Sequence, residues 1–208
     1  GVAGAMAGAH AGRARQRPVR FSRHPRIPRL SPARGAGPHR DRAGAAEVLV
    51  ASKVPSETRA DEHPLAVITG SPKLHQGRLY VPVSGRDESI AATNPAYECC
   101  TFRGSVVALD AATGNRIWKA YAILDVPKTT GQNKAGSKTW GPSGAAVWSS
   151  PTIDVQNTVV YAGTGVNYSN PPTETSDAIV AFDMDSGRLL WSRQFTKDDS
   201  YNFACVGQ

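Results

Sequence analysis

The alternation of short apolar runs with turn residues is the clearest pattern in the chain from about residue 61 onward. The runs are rich in Val, Ile and Tyr and are bounded by Gly, Pro, Asn and Asp, which is typical of β-strands. The most evident runs are LAVIT (65–69), RLYVPV (78–83), SVVALD (105–110), TVVYAG (158–163) and AIVAFD (178–183). No segment has a long helical period, so the pattern predicts an all-β body.

Two strand-turn-strand segments repeat. ALDAATGNRIW occupies 108–118 and AFDMDSGRLLW occupies 181–191, so equivalent positions are 73 residues apart. The shared positions are an Asp, a Gly and a Trp: Asp110 and Asp183, Gly114 and Gly187, Trp118 and Trp191. The Gly suits a turn that needs positive φ, the Asp can accept hydrogen bonds from the turn amides, and the Trp can pack between sheets.

A sheet of four such strands cannot bury both of its faces alone. Stacking copies around an axis solves this problem and produces a β-propeller. The repeat therefore predicts an all-β partial β-propeller of about two to three blades, which is too few to close a ring. The alternative is a two-sheet sandwich whose similar segments arose by chance.

Charge divides the chain into two parts. Residues 1–45 contain ten Arg, no Lys and a single acid, Asp41, whereas residues 46–208 contain 14 basic and 16 acidic residues. Pro recurs every few residues in the first part, which favours disorder or a segment foreign to the native protein over an anion-binding arm. We therefore expect a disordered or non-native tail at 1–45, a propeller at 46–208, and no nucleic-acid partner for the slightly acidic body. No run of 18 apolar residues occurs, so no membrane-spanning helix is expected.

Several segments carry a family resemblance. The repeat reads Ala-x-Asp-x-x-Thr-Gly-x-x-x-Trp, and it lies in register with ECCTFRGSVVALDAATG, WGPSGAAVWSSPTID and YAGTGVNYSNPPTETSDAIVAFD. These segments resemble the pyrroloquinoline quinone (PQQ) alcohol dehydrogenases, especially the polyvinyl-alcohol dehydrogenase-like quinoproteins.

The resemblance implies an eight-bladed or similar propeller that holds PQQ and Ca²⁺ near its axis. It implies an alcohol substrate, possibly polymeric, and a cytochrome c as electron acceptor. The alternative is a non-catalytic propeller that binds proteins or glycans. Such a scaffold would keep the turn glycines and Trp118 and Trp191 but would have no use for a cysteine pair or for Trp148.

The resemblance assigns PQQ contacts to Cys99 and Cys100 as a vicinal disulfide, and to Trp148 as the aromatic ring on the other face of PQQ. The alternatives are two free thiols, a pairing of one of them with Cys205, and a Trp148 that packs between sheets. A disulfide implies an oxidising compartment, so a periplasmic or secreted protein is expected.

Three further residues are assigned to the carboxylates of PQQ by the same resemblance. Arg103 is the expected guanidinium clamp, and Thr69 and Ser84 are the expected hydroxyl donors. The alternatives are a salt bridge for Arg103 and ordinary strand-end hydroxyls for Thr69 and Ser84.

For the metal, counting from Thr69 places Asp87 at the family's Glu ligand, with Glu88 directly after it. One of these two is the expected Ca²⁺ ligand. The family's Asn ligand follows Gly-Thr-Gly, where this chain has Val166, with Asn167 one position later.

For the catalytic base, alcohol-oxidising relatives have Trp-Asp where this chain has Tyr201-Asn202. An amide cannot act as a base, so with Asn202 at this position three alternatives stay open: Asp199 or Asp198 substitutes, the metal and the quinone do more of the work, or the base lies beyond Gln208. The alternative is that Asp198 and Asp199 are simply a solvated pair in a loop.

Overall fold

The computed structural model describes residues 61–202, and two antiparallel sheets dominate this part of the chain. The first sheet, called blade 1, consists of β2 (Lys73–His75), β3 (Arg78–Gly85), β4 (Ser105–Asp110) and β5 (Arg116–Tyr121), with β1 (Ala66–Val67) paired to the end of β3. The second sheet, called blade 2, consists of β9 (Thr152–Asp154), β10 (Val159–Gly163), β12 (Ala178–Asp183) and β13 (Leu189–Gln194). Both are successive up-and-down strands, which confirms the predicted partial propeller and its count of two recognisable blades.

Smaller elements occupy the connections between these strands. A hairpin joins β6 (Lys128–Gln132) to β7 (Lys138–Gly141), and β8 (Ser143–Gly144) pairs with β11 (Asn167–Ser169). One short helix, α1 (Asp87–Thr93), follows β3. This helix is a local exception in a body that is mostly β-strand, as predicted, and its seven residues are too few to show a helical period in the sequence. Asp87 and Glu88 lie in its first turn, where negative side chains favour a helix.

The two predicted turns are built alike. In blade 1 the Asp110 carboxylate accepts hydrogen bonds from the Thr113 amide (2.7 Å) and hydroxyl (2.8 Å). In blade 2 the Asp183 carboxylate accepts the same pair of bonds from Ser186 at 2.8 and 2.7 Å. The glycine of each turn has φ of +72°, and these hydrogen bonds lower the pKa of both carboxylates. The sequence therefore encodes each turn locally.

Trp118 joins the two blades. It is 8% exposed and lies in a buried cluster with Tyr80 and Val106 of blade 1 and Val160 and Phe182 of blade 2. Its Nε1 donates to the carbonyl oxygen of Met184 at 3.2 Å. A Cβ added at Gly187 would lie 2.7 Å from the indole, so the glycine of the blade 2 turn makes room for the tryptophan of blade 1.

Trp191 holds the equivalent position in blade 2 but is 46% exposed and packs on Tyr161 of its own sheet, with ring centroids 5.7 Å apart. Residues 61–202 provide no third four-stranded sheet to cover it.

Among residues 61–202, no helix is long and apolar enough to cross a bilayer. The predicted tail at 1–45 and Cys205 lie outside the described residues.

Candidate functional site

A vicinal disulfide lies at the centre of the candidate site. The sulfur atoms of Cys99 and Cys100 are joined, and Cys100 is fully buried whereas Cys99 is partly exposed. Asn202 donates from Nδ2 to Cys99 Sγ at 3.5 Å, to Cys100 Sγ at 3.3 Å and to the carbonyl oxygen of Tyr168 at 3.1 Å. The structure thus brings three of the predicted residues together, and it uses Asn202 as a hydrogen-bond donor to the disulfide.

Asp87 lies beside the disulfide and is 0% exposed. Its Oδ2 accepts from the amides of Thr101 (2.7 Å) and Phe102 (2.8 Å), and its Oδ1 accepts from the Tyr97 hydroxyl. Burial and this hydrogen bond raise the pKa of Tyr97, so the phenol remains a donor. Most of the accepting capacity of Asp87 is therefore used within the protein.

Glu88 has a different environment from that of its neighbour. Its Oε2 is buried and has no hydrogen-bond partner among the described residues. Burial raises the pKa of Glu88, and the charge of Asp87 raises it further. A buried carboxylate oxygen without a partner is costly, and a bound cation would relieve that cost.

Trp148 presents a flat surface to the outside. It is 62% exposed, and a Cβ added at Gly165 would lie 3.5 Å from its ring, so the indole lies along the Gly165 backbone. The Thr69 hydroxyl donates to the Trp148 carbonyl oxygen at 3.3 Å, which brings these two predicted residues together. Unlike Trp118, Trp148 is not packed between the blades.

Ser84 lies near the end of β3, where it pairs with Val67 of β1, and it is 5% exposed. Its predicted contact with PQQ stays a prediction.

Arg103 is turned to a neighbouring loop. Its Nη1 donates to the carbonyl oxygens of Ile123, Leu124 and Asp125 at 3.2, 3.1 and 3.3 Å, and its guanidinium lies 3.8 Å from the centroid of the Tyr121 ring. These contacts order the segment after β5. All three hydrogen bonds come from Nη1, and the predicted clamp of Arg103 on a carboxylate of PQQ stays a prediction.

Asn167 is fully buried, and both ends of its carboxamide face the loop that follows β11. Its Oδ1 accepts from the Thr173 hydroxyl at 2.9 Å, and its Nδ2 donates to the Pro171 carbonyl oxygen at 3.4 Å. These contacts attach the loop to β11 and occupy one lone pair of Asn167 Oδ1. The role of Asn167 as a metal ligand stays a prediction.

Asp199 is half-buried and close enough to Asp177 to affect its ionisation. Burial raises the pKa of Asp177, and the charge of Asp199 raises it further. Asp177 Oδ2 is buried without a hydrogen-bond partner among the described residues, and its amide donates at 2.9 Å to Gly165, the residue beside Trp148. Asp177 is not among the residues predicted from the sequence, because an aspartate directly before a strand matches no motif that would single it out.

An apolar cluster connects these features. Cys99, Cys100, Phe102, Ala146 and Tyr168 pack together in it, and Gly165 donates from its amide to Ala146. The arrangement offers two flat, polarizable surfaces, the disulfide and the Trp148 indole, together with the incompletely paired carboxylates Glu88 and Asp177. Flat, polarizable surfaces can contact a planar ligand, and carboxylate oxygens without hydrogen-bond partners can bind a hard cation.

Comparison with known proteins agrees with this chemistry. The family model described as "PQQ: Glucose/ethanol/alcohol dehydrogenase, beta-propeller domain" matches residues 56–205. The chain is 43% identical over 149 residues to a polyvinylalcohol dehydrogenase of Pseudomonas sp. and 42% identical over 149 residues to that of Sphingopyxis sp. (strain 113P3), covering 72% of this chain in both cases. It is 26% identical over 156 residues, 65% of this chain, to a quinohemoprotein alcohol dehydrogenase of Comamonas testosteroni. The chain spans 23% of the length of the first two relatives and 20% of the third.

Proposed function

The chain belongs to the PQQ β-propeller family of glucose, ethanol and alcohol dehydrogenases, and from this premise we propose that it forms two blades of a quinoprotein that oxidises alcohols. Polyvinyl alcohol or another secondary alcohol is the proposed substrate, by similarity to the two polyvinylalcohol dehydrogenases. The observation that carries the proposal is the Cys99–Cys100 disulfide held by Asn202. A scaffold propeller has no use for this arrangement.

The residues present fit a planar cofactor. Trp148 has an exposed indole face, and the disulfide has an amide donor on its sulfurs, so these two surfaces would hold PQQ by stacking. When bound, PQQ supplies the two-electron oxidant for the alcohol. Thr69 and Ser84 are the proposed hydroxyl contacts, and Arg103 is left out because its Nη1 is engaged with the segment after β5.

For the metal, we assign Ca²⁺ to Glu88 in preference to Asp87. Glu88 Oε2 is buried without a partner, whereas both oxygens of Asp87 already accept hydrogen bonds. Hard cations need oxygen atoms that are free to coordinate.

For the proton of the alcohol, Asp199 is the proposed acceptor. A carboxylate can take a proton, whereas the Asn202 amide cannot and is already a donor to both sulfurs. Asp177 lies close to Asp199: burial raises the pKa of Asp177, and the charge of Asp199 raises it further.

Electron transfer to a cytochrome c and a periplasmic or secreted location are further parts of the proposal. The location is supported by the disulfide, which persists in oxidising compartments. The cytochrome is supported by similarity to a quinohemoprotein.

A chimera tests the proposed activity. Residues 56–205 would replace the segment that aligns with them in the Pseudomonas polyvinylalcohol dehydrogenase. With PQQ and Ca²⁺ added, we expect the chimera to reduce an artificial electron acceptor when a secondary alcohol or polyvinyl alcohol is supplied. The unmodified relative is the positive control. A chimera that folds and binds PQQ but reduces no acceptor with any alcohol would favour the scaffold function.

Replacing Glu88 by Gln tests the metal assignment. The substitution removes the negative charge from a buried site of similar size, so we expect Ca²⁺ affinity in the chimera to fall by at least about tenfold. Calcium titration calorimetry measures the change, with the exposed Glu174→Gln as the control. Equal calcium affinity in the Glu88→Gln protein and the parent would remove Glu88 from the metal site.

A further inference from the structure

Asp87 is a buried acid that the proposed mechanism does not use. It is 0% exposed, and it lies at the first position of α1, opposite the segment that contains the two cysteines. A carboxylate in this position would be costly without hydrogen-bond donors, and the protein supplies three.

The donors come from residues on both sides of the disulfide. The Tyr97 hydroxyl precedes the cysteine pair, and the amides of Thr101 and Phe102 follow it directly at 2.7 and 2.8 Å from Oδ2. The His63 imidazole lies beside the same oxygen, with Nε2 at 3.8 Å, and contacts the Thr101 hydroxyl at 3.1 Å. A single carboxylate therefore binds the Tyr97 side chain before the pair and the two backbone amides directly after it.

The same carboxylate lies next to the sulfurs. An oxygen of Asp87 and the Sγ atoms of Cys99 and Cys100 all lie within 4.8 Å of one another. On the other side, the Asn202 amide donates to both sulfurs. The disulfide is thus held between a buried acid and a neutral donor.

We propose that Asp87 is a positioning residue that anchors the Cys99–Cys100 disulfide and keeps it oxidised, and that it is not a calcium ligand. The proposal rests on the proposed function only in the use of the disulfide as a cofactor surface. The anchoring itself depends on the protein alone.

The anchor opposes reduction. Reduction breaks the S–S bond with two electrons and two protons from a dithiol, and the sulfurs must then move apart, which the anchored amides of Thr101 and Phe102 resist. Weakening these hydrogen bonds should therefore make the pair easier to reduce.

The experiment uses the full 208-residue chain with Asp87→Asn and Tyr97→Phe. Each protein is equilibrated with graded ratios of reduced to oxidised dithiothreitol, free thiols are alkylated, and mass spectrometry of the peptide containing 99–100 measures the reduced fraction. For Asp87→Asn we expect half-reduction at a ratio lower by about tenfold, the size of effect that follows from losing one charged hydrogen bond. Tyr97→Phe should shift it in the same direction by a smaller factor and tests the anchor if Asp87→Asn fails to fold. The exposed Asp125→Asn is the matched control and should match the parent chain.

Half-reduction at the parental ratio in both variants would overturn the proposal. So would loss of calcium binding in Asp87→Asn while the disulfide is reduced as in the parent, because that pattern identifies a metal ligand. Titration of PQQ into the parent chimera distinguishes failure of the proposed function from failure of the anchoring role of Asp87. If PQQ does not bind but the reduction shift appears, the proposed function fails and the anchoring role of Asp87 stands.

Discussion

Replacing Trp148 by alanine should weaken PQQ binding by about tenfold to a hundredfold, because the substitution removes the exposed indole that we assign to one face of the ring. The indole is 62% exposed, so little of its packing contributes to folding. We therefore expect the free energy of unfolding to stay close to that of the parent. Equilibrium dialysis with PQQ, performed on the chimera, measures the affinity without relying on tryptophan fluorescence.

Trp191→Ala is the matched control for this prediction. Trp191 is also a half-exposed tryptophan, but it packs on Tyr161 at the edge strand of blade 2. Its removal should leave PQQ affinity unchanged. If Trp148→Ala and Trp191→Ala bind PQQ equally well, Trp148 is not part of the cofactor site.

Replacing Trp118 by alanine should destabilise the chain by about 3–5 kcal/mol, the usual loss for a large aromatic side chain removed from a core. Trp118 packs blade 1 on the turn of blade 2 beside Arg78 and Tyr80, and its loss would also remove the indole donor to the Met184 carbonyl. Urea unfolding followed by far-UV circular dichroism measures the change.

Gly187→Ala tests the same interface from the other side. The added Cβ would lie 2.7 Å from the Trp118 ring at a residue with φ of +72°, so this variant should also lose stability. Gly77→Ala is the matched control, since Gly77 also has positive φ (+75°) but a Cβ there would meet no atom within 4 Å. Equal losses for Gly187→Ala and Gly77→Ala would mean that backbone strain, and not contact between the blades, sets the cost.

The features that could be predicted from the sequence are those that residues close together in the chain produce. The turns at Asp110 and Asp183 are built from residues within four positions of each other, so their repeat could be read directly and indicated two blades. Trp148 could be separated from Trp118 because it falls outside the repeat, and its exposure agrees with that separation. The pairing of Cys99 with Cys100 was also expected, since the residues are adjacent and the family segment around them is specific.

The assignment of Asp87 or Glu88 to the metal and of Arg103 to a carboxylate of PQQ depended on the partners that surround each side chain. Spacing along the sequence does not reveal those partners. Asp87 and Glu88 are neighbours in sequence, yet Asp87 accepts three hydrogen bonds whereas Glu88 has a buried oxygen without a hydrogen-bond partner among the described residues. Arg103 was expected at a carboxylate, but three backbone carbonyls from residues 123–125 lie within its reach. Asp177 could be identified as a candidate site residue only from the structure, in which its amide donates to Gly165 and the charge of Asp199 raises its pKa.

The amino-acid sequence alone determined the strands, the turn chemistry, the family and the identity of the side chains that can carry redox chemistry, because each of these depends on residues close together in the chain. The tertiary structure decided which of those side chains are already engaged. A carboxylate or guanidinium acquires its role from the donors and acceptors that surround it, and at Asp87, Arg103 and Asn167 those partners come from chain segments whose proximity arises only when the strands and loops pack.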